Sequence, residues 1–236
     1  MGVLIVAPSP SSETLFKSFH ARTSGKGASG NALSSSPRSL ALHQMFRDFY
    51  AEVFANLRAA NDVLASAQAF VIYAILCLFP DENSVQYEIN EEKLILDISE
   101  ISLRLASSGL ALHEETTGDG EISQWYDWTI MSAKRRTILT IYMLTWAWSV
   151  WRNYPSFYCH ELQLMLAPSP KALWQAQTET EWLPLYQKWF QKWKGDGYRI
   201  GELLSISPKH IVNRRTEDWL EEVDEFGMLL MSQGKS

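Results

Sequence analysis

Between Trp125 and about Arg152 the chain runs for nearly thirty residues without a glycine or a proline. Ile138, Ile141, Tyr142, Trp146 and Val150 recur along it at helical spacing, with Trp148 and Trp151 close by. An unbroken stretch of this length, apolar round so much of its circumference, reads as one long helix at the centre of a bundle, because one partner could cover only one face. The rest of the chain therefore has to supply a shell around it.

The flanking sequence supplies helices. From Leu40 onward Leu42, Met45, Phe46, Phe49, Val53 and Leu57 recur at steps of three and four, the pattern of an amphipathic helix. Asn61-Asp62 offers a cap for a second helix over Val63 to Phe79, stopped by Pro80. That run is apolar but short for a membrane span, is interrupted by Ser66 and Gln68 and has no flanking basic cluster, so it reads as a buried core helix. Leu94, Ile98, Ile101 and Leu105 predict a surface helix over Glu91 to Leu105, with Asp97, Glu100 and Arg104 on other faces. Gly109 and the Glu114 to Gly120 stretch predict a loop.

Pro155 to Pro170 predicts irregular chain, and Lys171 to Trp193 predicts helix with a break near Pro184, ended by Gly195 and Gly197. Thr216 is the expected N-cap of a last helix on which Trp219, Leu220, Val223, Phe226 and Leu230 share a face. Strand signals are nearly absent and no internal repeat is found. The expected fold is all-α, an irregular multi-helix bundle over residues 40–236. Residues 8–38, rich in Ser, Gly, Pro and Ala, bury too little to order themselves, so residues 1–39 are expected to be a disordered tail.

Charge and cysteine content narrow the function. The formal net charge is −6, although the first forty residues hold Lys17, Arg22, Lys26 and Arg38 against the single acid Glu13. A basic tail on an acidic body argues against a domain that binds nucleic-acid phosphates directly. Cys77 and Cys159 are the only cysteines, too few for a disulfide framework or a zinc site. Met1 to Ala7 lacks the features of a signal peptide, and Val6 stands where a myristoylation signal prefers Ser or Thr.

No constellation carries chemistry. Cys159-His160-Glu161 has the residue types of covalent catalysis, but adjacent side chains point apart, whereas real triads assemble from distant positions. The five His never fall at the i, i+4 spacing of a helical metal site. Gly25-Lys26-Gly27 fails the phosphate-loop pattern, with His20 and Gly27 at the positions of its first glycine and its hydroxyl residue. Asp218, Glu221, Glu222, Asp224 and Glu225 read as a solvated acidic face at the start of the last helix. Lys134-Arg135-Arg136 fan out over almost a full turn, so at least one is expected to pair with an acid at the bundle surface. No catalytic, cofactor-binding or metal-binding residue and no cofactor is assigned, and the chain is not expected to be an enzyme.

A series of landmarks nevertheless stands in order: Trp128, Lys134-Arg135-Arg136-Thr137, Trp146-Ala147-Trp148, Pro155, Glu161-Leu162, Leu166-Ala167-Pro168, Leu173-Trp174-Gln175-Ala176 and Trp182. This series resembles the fungal-specific transcription factor domain, the helical middle region of fungal zinc-cluster regulators. The Ala65 to Ala69 helix and the Glu217 to Ser232 tail extend the resemblance to roughly residues 40–232. Members of that family carry an N-terminal cluster of six cysteines that holds zinc and reads DNA, and this chain has no cysteine before Cys77. A cluster encoded further upstream stays open.

The resemblance implies a nuclear regulator of transcription, of a secondary-metabolite or other gene cluster. It would act through the transcription machinery or a DNA-binding partner, with no direct DNA contact and no membrane. A homo-oligomer or a small-molecule ligand stays open. The alternative is a helical enzyme or small-molecule-binding protein with Trp146, Trp148, Trp151 and Trp174 lining an apolar pocket.

Overall fold

The computed structural model describes residues 48, 63–79, 90–118, 122–154, 162–206 and 212–233. All of them lie in a compact unit that begins at Arg47. Among the described residues there is no strand beyond a single bridge between Leu166 and Arg199, and the fold is all-α. The expected helix over residues 42–57, apart from Asp48, the Asn61-Asp62 cap, the Pro80 stop, the 1–39 tail and the 155–161 stretch fall outside the described residues.

Helices α1 (Val63–Leu78), α2 (Glu91–Ser107) and α4 (Trp125–Trp151) pack against one another, with the one-turn helix α3 (His113–Thr117) on the connection into α4. The contacts set the directions. Gln68 reaches Thr137 and Phe79 reaches Trp151, so α1 runs parallel to α4. Lys134 reaches Ser108 and Trp148 reaches Glu91, so α2 runs antiparallel to it. Asn90 accepts the amide of Lys93 and caps α2, with Glu91 and Glu92 favoured by the dipole in the first turn.

The interior of this layer is largely aliphatic: Ala67, Phe70, Val71, Ala74 and Leu78 from α1, and Leu94, Ile95, Ile98, Ile101 and Leu105 from α2. Burying a large aliphatic side chain of this kind is worth about 1.5–3 kcal/mol. Helix α1 differs from the expected fully buried helix. Its described neighbours α2 and α4 leave Ile72, Ile75 and Leu76 exposed.

The remaining elements are short: α5 (Lys171–Gln175), α6 (Glu179–Trp193), α7 (Ile200–Leu204), α8 (Arg214–Leu220) and α9 (Glu225–Gln233). Two helices stand where one was expected over Lys171 to Trp193. The break falls at residues 176–178, where Thr178 caps α6 through the amide of Glu181, and Pro184 sits inside α6. The last helix is also two. Asn213, not Thr216, accepts the amide of Thr216 and caps α8, while Asp224 accepts the amide of Gly227 and starts α9.

Residues 162–170 form an irregular, largely buried segment beside the start of α7. Ala167 N–H donates to Tyr198 O at 2.8 Å, Ile200 N–H to Met165 O at 2.9 Å and Gly201 N–H to Gln163 O at 2.9 Å. Gly118 and Gly195 both hold positive φ, 70° and 74°, and a Cβ on Gly195 would stand 2.5 Å from Gly118 Cα. Only glycine permits both that conformation and that approach, which locks the end of α3 against the end of α6.

Candidate functional site

Lys134-Arg135-Arg136, the strongest local charge signal in the chain, is built into the frame. Arg135 Nε donates to Leu110 O at 2.7 Å, Nη1 donates to Glu115 Oε1 at 3.0 Å, and Nη2 donates to Glu115 Oε2. The side chains of this fork-to-fork pair are only 5% and 2% exposed. Glu115 also accepts the amide of Leu112, so one carboxylate fixes both the start of α3 and the cation on α4. Arg136 turns the other way. It donates to Asp224 Oδ2 at 2.7 Å and lies over the rings of Trp174, at 4.2 Å, and Phe226, at 5.0 Å. Burial holds its pKa below the usual guanidinium range, with Asp224 opposing that shift. Lys134 donates to Ser108 O at 3.2 Å, and burial lowers its pKa.

The pairing expected at the surface is thus made twice, by Arg135 in the interior and by Arg136 in a partly buried position. Each arginine emerges from α4 towards a different neighbour, and a buried guanidinium demands a carboxylate. Asp224 correspondingly leaves the expected solvated acidic face: it is buried, pairs with Arg136 and starts α9. Glu222 and Glu225 pair with Lys192 and Lys171. Glu114 and Glu115, expected in a loop, sit buried on α3. Glu114 accepts from Ser123 N–H at 3.0 Å, Ser123 Oγ–H at 2.8 Å and Tyr186 Oη–H at 3.1 Å. Burial and the two nearby carboxylates push the Tyr186 phenol far above its ordinary pKa, so it serves as a donor. The signal for the Arg135–Glu115 pair was present as a basic triplet on a long, largely apolar helix with the acid pair Glu114-Glu115 shortly before it.

The other landmarks serve packing. Trp128, Trp182 and Tyr186 are buried in one cluster with Leu112 and Leu173, with Trp182 and Tyr186 stacked at 4.5 Å. Trp219 Nε1–H donates to Pro168 O at 3.0 Å, which ties the Leu166-Ala167-Pro168 segment to α8. Tyr198 stacks on Trp219 and hydrogen-bonds Thr216. Two buried polar atoms of the described residues, Trp182 Nε1 and Ser132 Oγ, have no hydrogen-bond partner.

Of the four tryptophans of the alternative reading, Trp146 is half-buried, and Trp148, Trp151 and Trp174 do not converge. Trp148 is buried, stacks on Tyr154 and donates to Glu91. Trp174 lies under Arg136, which is about 18 Å along α4 from Trp148 at the helical rise per residue. Trp151 is half-exposed against Phe79. An apolar cavity of about 20 Å³, lined by Leu139, Tyr142, Leu162, Ile200, Leu203 and Leu230, has room for about one water. An open cleft of about 320 Å³ lies between Asn90, Glu91, Glu92, Trp148, Arg152 and Tyr154. Its polar groups are occupied with one another. Burial raises the Glu91 pKa, but hydrogen bonds from Arg152 and Trp148 outweigh it and hold the carboxyl below its ordinary value.

Among the described residues no group of three or more His, Cys, Asp or Glu is placed to hold a metal ion. The Cys77 thiol is pushed up by burial, against a hydrogen bond with Tyr73, which disfavours the nucleophilic thiolate. Cys159-His160-Glu161 and Gly25-Lys26-Gly27 lie outside the described residues. No helix of the described residues is long and apolar enough to cross a membrane.

What these residues define is a helical scaffold held by an aromatic core and internal ion pairs. No protein-family model and no solved structure matches the chain. It is similar to a fungal protein, the transcription factor gsfR2 of Penicillium aethiopicum, with 25% identity over 182 residues that cover 74% of this chain. The match spans 40% of the length of that relative.

Proposed function

We propose that this chain is a regulator of transcription that works through protein contacts made by its helical domain, spanning residues 40–236. The observation that carries the reading is the similarity to a fungal transcription factor across most of the chain. The landmark residues support it from the physical side. Trp128, Arg135, Arg136, Trp174, Trp182 and Pro168 are held in packing, ion pairs and backbone contacts, as expected of a scaffold whose outer surface does the work. The finer reading is control of a secondary-metabolite or other gene cluster from the nucleus, by engaging the transcription machinery or a separate DNA-binding partner. Conspicuous basic residues support that indirect route, because Arg135 and Arg136 are committed to Glu115 and Asp224 and cannot also neutralise phosphates.

Chromatin occupancy of the tagged full chain, with transcript levels in a deletion strain, tests this. The expected result is nuclear signal, occupancy at a confined set of promoters and altered transcripts from the same loci. Unchanged transcripts with a signal confined to the cytosol would overturn it. Direct contact is tested separately with the purified chain and promoter fragments, where no specific shift is expected.

A further inference from the structure

The outward face of α1 is apolar and ordered along one line. Ile72 and Leu76 are 61% and 64% exposed, and Ile75 and Phe79 are 40% and 38% exposed. Gln68, Ile72, Ile75 and Phe79 follow at steps of four, three and four, the alternation that lines the seam of a two-stranded coiled coil. This line is separate from the face made by Phe70, Ala74 and Leu78, which is buried. Trp151, 51% exposed, meets the Phe79 ring at 5.5 Å and carries the patch onto the end of α4. Nowhere in Val63–Leu78 is there an Asp, Glu, Lys or Arg, although a solvated helix face ordinarily carries charge.

We propose that this seam is an isologous interface with α1 of a second copy of the chain. Two physical points select that occupant. Large side chains about half open, each presenting on the order of 100 Å², leave roughly 500 Å² per copy. Pairing two such faces removes about 1,000 Å², the lower bound of a specific interface, as suits a dimer that forms at micromolar concentrations. The uncharged face also pairs with itself without bringing like charges together, and a strongly acidic or basic partner would gain nothing from it. Two heptads are short for an autonomous coiled coil, but α2 and α4 already hold α1 in its helical form, so association need not supply the cost of helix formation. Gln68, which reaches Thr137 at 3.4 Å, is the one polar member of the seam, and a polar seam position disfavours slipped registers.

Sedimentation equilibrium of the full chain over a concentration series tests this, with twice the single-chain mass expected at micromolar concentrations. Ile72→Glu places a buried charge in the seam and should weaken association about a hundredfold. Its circular dichroism should stay unchanged, since Ile72 lies outside the core, and its melting transition should lose the concentration dependence that dimerisation gives the parent chain. Met228→Glu, on an exposed apolar position of α9, should leave the dimer intact. A photo-crosslinker in place of Leu76 should join α1 to α1 of another chain. Single-chain mass at every concentration would overturn the proposal. So would a dimer that survives Ile72→Glu, a dimer lost with Met228→Glu, or crosslinks that land in the chain's own residues 40–57.

Discussion

The two sides of α4 are held by different physics. Towards α1 and α2 it meets a mostly aliphatic layer whose ion pairs sit at the rim, as with Lys93–Asp97, Glu100–Arg104 and Glu91–Arg152. Towards α3, α6 and α9 it meets stacked aromatic rings, one ion pair sealed inside and a second that is partly buried. The aliphatic side is built from long helices that bury one clean stripe each. The aromatic side is built from short helices that cannot, so large rings fill the gaps and hydrogen-bonded charges fix the angles. Short elements need directional contacts because each buries too little area to orient itself.

The largest expected effect lies at Arg135. Arg135→Met leaves Glu115 buried without its cation and should cost about 3–5 kcal/mol in urea unfolding, whereas Arg135→Met with Glu115→Leu should recover most of that loss. A cost below about 1 kcal/mol for the single variant would erase the distinction between the sealed side and the rim. Next come two tryptophans treated alike. Trp148→Phe removes the donor to Glu91 and should cost about 1–2 kcal/mol more than Trp182→Phe, whose indole N–H has no partner to lose. Equal costs by the same measurement would contradict the hydrogen-bond assignment.

A smaller effect, with opposite sign, is expected at Asp97. Burial, with Glu100 adding to it, raises its carboxyl to about 6, although Lys93 stands at 2.7 Å. The Lys93 side chain is 62% exposed, and solvent screens it. A carboxyl that binds its proton more tightly in the folded chain stabilises the fold most below its unfolded pKa of about 4. That contribution is lost as pH rises towards 6. Asp97→Asn should therefore raise stability by about 1 kcal/mol at pH 7.5, allowing for screening of a partly exposed group, and by nothing measurable at pH 4. Thermal melts at the two pH values decide it. The smallest effect is Arg104→Ala, which removes an exposed i, i+4 pair and should change stability by under about 0.5 kcal/mol.

Legibility in the sequence followed the length of the elements. Helices α2 and α4 were readable because a periodic stripe over many turns averages out local exceptions. Both start where expected, at Glu91 and Trp125, and end within two residues of the expected Leu105 and Arg152. Helices α3, α5 and α7 have only five residues each, too few for a period to show. Caps were misplaced where several candidates stood together. Asn213 and Thr216 are both good cap residues, and only the fold makes Asn213 the acceptor while Thr216 turns to Tyr198. The aromatic landmarks were identified as framework from their order in the chain. Their partners were not, since nothing local links Arg136 to Asp224 or Trp219 to Pro168.

Composition and periodicity alone were enough to make this an all-helical chain around a long central helix, because those properties depend on neighbours three and four residues apart. Three-dimensional packing was needed to turn a basic triplet that looked like a surface patch into one sealed and one partly buried ion pair. It was needed as well to leave an apolar run that looked like core open along its outer face. Both outcomes turn on which segments distant in the chain come to lie against α4 and α1. Burial is set by those neighbours, and a residue's own type carries no record of them.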